Sequence, residues 1–285
     1  MLWMAAAGLV FTILNTILKR LSQDLDPMLI GVLRYSMGAL VILPPALRLG
    51  FRALWSRAPK LQFARGVLHT CGIMLWLAAI PTVTLAELTA IGFSGPIFTC
   101  LGAVLFLGER MTGARWASVI IGFLGVLLVV VPVTGAGFAG VSKGTLLTLA
   151  SVPVFAASFL VAKVLTRHDR PEVMVLWQHL WTAGLLMPFA LAAWSPPEAW
   201  HWGVFVASGF LGAGGHYCMT RAFRTADISA VQPVKFLELI WATLLGFVVF
   251  GNLPTAATVL GGVVILATTL WLARRESRAV ARAGG

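Results

Sequence analysis

Charge is scarce in this chain. Asp, Glu, Lys and Arg make up 11% of its 285 residues, against about 25% in an average soluble domain. With 59% hydrophobic residues and a mean hydropathy of +0.91, the composition excludes an ordinary water-soluble globule. Cysteine is scarcer still. Cys71, Cys100 and Cys218 lie in three different apolar segments with no CxxC spacing, so no disulfide framework or metal-binding cysteine set is expected, and they read as small apolar side chains. Signatures of catalysis are missing too. There is no GxxxxGK[ST] phosphate loop, no GxSxG and no HExxH. Asp24, Asp26, Asp169 and Asp227 all fall between apolar segments or at their ends, which leaves no aspartyl pair within a membrane. Neither an enzyme, a cofactor nor a metal site is expected. Residues 135–140 spell GxGxxG, but no strand precedes them and no acidic residue follows about 20 positions on, so the match reads as accidental.

What the chain has in abundance is apolar segments long enough to span a bilayer, for which about 20 residues suffice. Ten are expected, over residues 2–18, 27–47, 62–80, 85–107, 115–131, 144–164, 172–193, 202–223, 228–250 and 255–273. The first has no basic segment ahead of it, so it is expected to be retained rather than cleaved. The net charge of +11 is not a nucleic-acid signal, because the cations are dispersed over short loops rather than gathered on one face. They alternate instead. Counting from a cytoplasmic start, sixteen Lys and Arg residues fall in or beside the cytoplasmic gaps and the tail, and only Lys19, Arg20 and Lys143 fall in the opposite gaps. That asymmetry follows the positive-inside rule and puts both termini in the cytoplasm. Membrane lipid, whose anionic head groups attract such loops, is the expected partner of these cations.

The second half repeats the first. A shift of 144 positions matches Phe11 with Phe155, Lys19 with Lys163, Pro27 with Pro171 and Pro44 with Pro188. A shift of 143 matches Gly66 with Gly209, Gly72 with Gly215 and Gly108 with Gly251. Residues 1–143 and 144–273 are therefore expected to be two five-helix repeats, followed by a basic cytoplasmic tail at 274–285. Five crossings is an odd number, so the copies enter the membrane from opposite sides. Inverted repeats are the architecture of alternating access, with the site near the midplane where the halves meet. The fold class expected is thus an all-α integral membrane protein of ten helices in two inverted repeats around a central cavity. A channel would instead show a filter or ring motif, and a monomer is expected to suffice because the duplication supplies both halves.

The run LAELTAIGFSGPIF from Leu85, ending in FLGER at 106–110, and QPVKFLELIW at 232–241, ending in VFGN at 249–252, resemble the fourth- and ninth-helix patterns of the EamA-type exporters of the drug/metabolite transporter superfamily. Asn252 departs from the second pattern, which usually has Glu. The resemblance implies a carrier in a bacterial inner membrane, similar to amino-acid and metabolite exporters of the YddG kind. Its cavity would be lined by the first, third, fourth, sixth, eighth and ninth helices.

Ionisable groups within spans are costly and so mark candidate sites. Lys235 and Glu238, three residues apart, share a helix face; together they match a zwitterion, or else neutralise each other. His69 and His216 sit about half a span deep among glycines that permit close helix approach, as cavity lining or as hydrogen-bond partners of a neighbouring helix. Trp76 and Trp241 are placed to stack on an aromatic ligand, and Asn15 and Ser94 offer polar groups on helices of the same set. Trp55, Trp194, Trp200, Trp202 and Trp271 read as an interfacial belt. Arg34 with Tyr35, and Gln178 with His179, occupy matched places on the second and seventh segments and are expected to be structural, because the resemblance puts those helices outside the cavity. Glu87 is expected near the outer end of its helix, and Glu109 and Arg110 at the inner end of theirs. The function expected is export of small amphipathic metabolites, neutral or aromatic amino acids foremost, with a multidrug or nucleoside-type exporter of the same fold as the alternative. A carrier of phosphorylated sugars would need more cations in the cavity than Lys235.

Overall fold

The computed structural model describes residues 1–83, 88, 91–134, 142–250 and 256–283. Glu87, Asn252 and the GxGxxG at 135–140 lie outside them. The helices are α1 (Leu2–Leu21), α2 (Pro27–Leu47), α3 (Pro59–Ala79), α4 (Gly95–Leu107), α5 (Gly113–Thr134), α6 (Lys143–Leu165), α7 (Pro171–Ala192), α8 (Ala199–Thr225), α9 (Ile228–Val231), α10 (Leu237–Phe250) and α11 (Ala256–Ala283). No strand occurs among the described residues. Local chemistry sets the starts: Pro27, Pro59 and Pro171 occupy first turns where no amide is needed. The Asp26 carboxylate accepts from the amides of Met28 and Leu29 at 2.8 and 3.3 Å. At the end of α4 the left-handed Gly108, at φ +66°, stops the helix.

Five segments, Leu2–Leu21, Pro27–Leu47, Lys143–Leu165, Pro171–Ala192 and Ile228–Leu245, are individually long and apolar enough to cross a membrane. Two of the helices that fall short, α3 and α8, carry buried polar side chains: Gln62, Arg65 and His69 on one, and His201 and His216 on the other. Those groups are turned inward. All five tryptophans expected at the interface are exposed, from 41% at Trp202 to 69% at Trp55.

The packing is two-fold throughout. Helix α1 packs on α8 as α6 packs on α3, α4 on α6 as α10 on α1, and α3 on α7 as α2 on α8, while α2 crosses α7 and α5 crosses α11. Each pair returns its counterpart when the halves are exchanged. Individual contacts recur as well. The Lys19 ammonium donates to the carbonyls of Ile80 and Val83 at 2.5 and 2.9 Å, and Lys163 donates to those of Phe223 and Ala226 at 2.7 and 2.5 Å. Each ammonium caps the C-terminal carbonyls of α3 or α8, where cations are favoured. Gly72 has the Phe155 ring against it, so an added Cβ would lie 2.9 Å from that ring; at Gly215 the Phe11 ring leaves 2.7 Å. The glycines matched in the sequence thus receive the matched phenylalanines, each from the opposite half.

Four apolar clusters make up the core among the described residues, and two of them are large. One holds Met4, Leu165, Phe223 and Ile228, on the side where the chain starts and where α11 ends, called the terminal face below. The other holds Leu18, Leu29, Leu77 and Phe205 toward the opposite face. One expectation is corrected here. The ninth span is not one continuous helix: α9 gives way to a 3₁₀ turn over Gln232–Phe236 before α10 begins. Pro233 lacks the amide and crowds the preceding turn. The basic residues 274–283 continue α11 without a break, since Ala, Arg and Glu favour helix and Glu276 is fixed by Arg115 at 2.9 Å.

Candidate functional site

The fourth segment is interrupted at the same level as the ninth. Phe93 and Ser94 form a turn ahead of α4, which restarts at Gly95 and Pro96. By the 143-residue shift Phe93 corresponds to Phe236, and Gly92 and Gly95 correspond to Lys235 and Glu238. The halves therefore meet at two broken helices, one offering glycines where the other offers charges. Discontinuous helices at a repeat interface form the sites of many carriers.

A cavity of about 200 Å³ lies there. Its wall includes six of the eight candidates: Asn15, His69, Trp76, His216, Lys235 and Glu238. Ser94 and Trp241 are outside it. The Ser94 hydroxyl turns back to the Ile91 carbonyl at 2.6 Å, closing the break, and Trp241 is half-buried with an unpartnered indole N–H. Sequence reasoning missed Phe11, Phe93, Phe155 and Phe159, which supply most of the aromatic wall. An aromatic residue in an apolar helix carries no signal; only the glycines opposite Phe11 and Phe155 hinted at a close approach.

Lys235 and Glu238 form no ion pair, although both line the cavity. The ammonium lies 5.3 Å from the centre of the Phe159 ring, a cation–π distance. The Glu238 side chain lies on Gly8 of α1, where an added Cβ would come within 2.9 Å of its Cγ. The two side chains thus make no direct contact, although Lys235 still acts on the Glu238 carboxylate through space.

Behind one wall sits a layer of polar rings. The Tyr35 hydroxyl and His69 Nε2 are 2.7 Å apart. His179 and His216 use Nδ1 to donate to the carbonyls of Val175 and Gly212, at 2.9 and 2.8 Å, with their ring centres 5.3 Å apart. The Arg34 guanidinium lies 4.4 Å from the centre of the Tyr35 ring. Arg34 and Tyr35 both line the cavity, so the expectation that α2 stands outside it is corrected. The helix crosses the bundle close enough to α8 to bring them in, with Gly212 against the guanidinium. Its signal was the uncompensated cation itself. Among the described residues, no group of three or more His, Cys, Asp or Glu is placed to hold a metal ion.

The cavity reaches toward the face opposite the termini, where Leu18, Trp76, Leu88 and Thr148 are part of its wall, and its lining stops at Phe159, Met219 and Lys235 on the other side. Below that level the terminal face is tied shut. The Glu109 carboxylate accepts from the amides of Ile228 and Ser229 and from the Ser229 hydroxyl, at 2.9, 3.0 and 2.6 Å. Arg115 donates to Asp227 at 3.1 Å, to both oxygens of Glu276 at 2.9 and 3.1 Å, and to the Arg110 carbonyl at 3.2 Å. Glu109 was expected at the inner end of its own helix; the structure has it capping the first turn of the other half's broken helix.

The model of the EamA-like transporter family matches residues 1–131 and again 142–274. A riboflavin transporter of Rhizobium johnstonii is 33% identical over 97% of this chain and 91% of its own length. An S-adenosylmethionine uptake transporter of Rickettsia prowazekii is 23% identical over 98% and 93%, and a pseudopaline exporter of Pseudomonas aeruginosa 26% over 95% and 94%. A solved crystal structure shares the fold, with a TM-score of 0.77 at 20% identity over 96% of this chain and 98% of that one. Two matched repeats, ten spans' worth of helix and a cavity at the seam agree with those likenesses, and the chain is a membrane transporter belonging to the EamA-like family.

Proposed function

We propose that this chain carries riboflavin, or a closely related flat heteroaromatic metabolite, into the cell by alternating access. The supporting observation is the cavity wall: Phe11, Trp76, Phe93, Phe155 and Phe159 offer ring faces, and Asn15, Lys235 and Glu238 offer hydrogen-bonding groups beside them. Such a surface suits a planar ring system carrying a hydroxylated chain. The 33% identity to a riboflavin transporter over nearly the whole chain supports the same substrate. None of the three relatives is named for amino acids, so riboflavin takes the place of the amino acid expected from sequence. At about 200 Å³ the space is smaller than the roughly 300–1,000 Å³ of typical ligand pockets, so loading requires side chains at the open end to move.

In this reading the protein sits in a bacterial inner membrane with both termini cytoplasmic, and the cavity is open to the outside. The repeats at 1–143 and 144–273 rock about the seam, and the basic continuation of α11 stays at the cytoplasmic surface. Loading from outside supports import in place of the export expected from sequence. A second reading, S-adenosylmethionine, is favoured by one observation: the Glu238 carboxylate lines the cavity without a direct ion-pair contact and matches a sulfonium or ammonium. Uptake of labelled riboflavin by a riboflavin-auxotrophic bacterium lacking its own carrier, with S-adenosylmethionine and tryptophan as competitors, tests the assignment. Growth on micromolar riboflavin with no competition is expected. Uptake of the labelled competitors without riboflavin uptake refutes it.

A further inference from the structure

Among the described residues three arginines are at least nine-tenths buried, and one of them, Arg115, has its charge compensated by carboxylates. Arg65 donates to the Gln178 side chain and the Met174 carbonyl, and Arg115 is paired with two carboxylates. Arg34 is different. It is 4% exposed, lies near the middle of α2, forms no ion pair among the described residues, and has its Nε buried without a hydrogen-bond partner. Tyr35 covers one face of the guanidinium at 4.4 Å, and Gly212 leaves room for it: an added Cβ would lie 3.4 Å from Nε. A cation held in the membrane without a counter-charge is expensive, and this one lines the cavity.

His69 stands beside it. It is 3% exposed, and while Nε2 meets the Tyr35 hydroxyl, Nδ1 is buried with no partner. Where Tyr35 donates, Nδ1 carries the proton and is a second unspent donor. The wall thus presents a guanidinium that is hydrogen-bonded to the Tyr35 side chain but faces no carboxylate among the described residues, and an imidazole Nδ1 without an acceptor.

We infer that Arg34, with His69 beside it, is the anchor for an acceptor-rich edge of the ligand, the pyrimidinedione end of a flavin in the reading proposed above, on which this rests. Two carbonyls and the ring nitrogen between them and the central ring lie in one plane, which a guanidinium fork matches and an ammonium does not. The hydroxylated chain is then left to Asn15, Lys235 and Glu238 elsewhere on the wall.

The test uses the full chain in proteoliposomes, measuring riboflavin uptake with lumichrome, which has the ring edge without the polyol, and ribitol, which has the polyol without the ring, as competitors. Arg34→Gln is expected to raise the riboflavin KM about tenfold or more and to weaken lumichrome inhibition in the same ratio. The effect of ribitol stays unchanged and kcat stays within about twofold. Arg34→Lys, which keeps the charge and loses the fork, is expected to recover only part of the loss. Should Arg34→Gln fail to fold, Gly212→Leu, whose side chain extends past the ordinary 3.4 Å contact a Cβ would make with Nε, displaces the guanidinium while leaving the charge in place, and is expected to raise the same two constants. A wild-type riboflavin KM in the folded Arg34→Gln variant overturns the anchor. If the wild type moves S-adenosylmethionine and no riboflavin, the flavin reading fails by itself. The anchor is then judged on the KM for that substrate, whose carboxylate is the acceptor, and an unchanged value in Arg34→Gln overturns it there as well.

Discussion

Removing the Glu109 carboxylate is expected to loosen the terminal face. Glu109→Ala deletes three charge-assisted hydrogen bonds to Ile228 and Ser229, at 2.6 to 3.0 Å. Each such bond contributes about 1.5–3 kcal/mol when fully buried. Glu109 is only partly buried and the freed amides regain water, so the sum is discounted to about 2 kcal/mol. That shifts the closed-to-open ratio about 30-fold. A reporter is built in: Cys100 is fully buried, with its Sγ 4.0 Å from the Ser229 carbonyl. With Cys71 and Cys218 changed to serine, a membrane-impermeant maleimide applied to the terminal face is expected to label Cys100 slowly in the parent and about 10- to 30-fold faster in Glu109→Ala. Glu109→Gln keeps one acceptor oxygen and is expected to fall between. Equal labelling rates in parent and Glu109→Ala would refute the view that this carboxylate holds the two halves together.

Three further outcomes follow from the same geometry. Gly72→Val and Gly215→Val force side chains into the Phe155 and Phe11 rings, and each is expected to cost about 1–3 kcal/mol with a similar drop in Tm; a harmless change at one site and not the other would break the equivalence of the halves. Lys19→Met and Lys163→Met each leave two helix-end carbonyls without their donor and are expected to lower stability by about 1–3 kcal/mol, read by thermal scanning in detergent. Glu238→Gln is expected to impair transport more than folding, because its carboxylate lines the cavity and holds no direct salt bridge; normal uptake kinetics would return it to a structural role.

Much of the site was legible because polar groups in apolar helices stand out against their background. Asn15, His69, Trp76, His216, Lys235 and Glu238 were found that way, and all line the cavity. Arg34 gave the same signal, yet the helix it belongs to was expected outside the wall. Phe11 and Phe155 gave none, since one more apolar residue in an apolar helix changes neither periodicity nor cost. The break at Gln232–Phe236 was marked by Pro233 but hidden by the unbroken apolar run around it.

By itself the sequence determined the apolar segments, the alternation of charge between their ends, and the duplication, because each follows from transfer energies and chain length along one dimension. Which residues of one half meet which of the other is a matter of three dimensions. Only the tertiary structure decided that Glu109 caps the opposite repeat's broken helix, that Lys235 and Glu238 stay apart, and that Arg34 reaches the cavity without a counter-charge. Those outcomes depend on helix crossing and on sub-ångström room beside glycines such as Gly212 and Gly8, which no local pattern encodes.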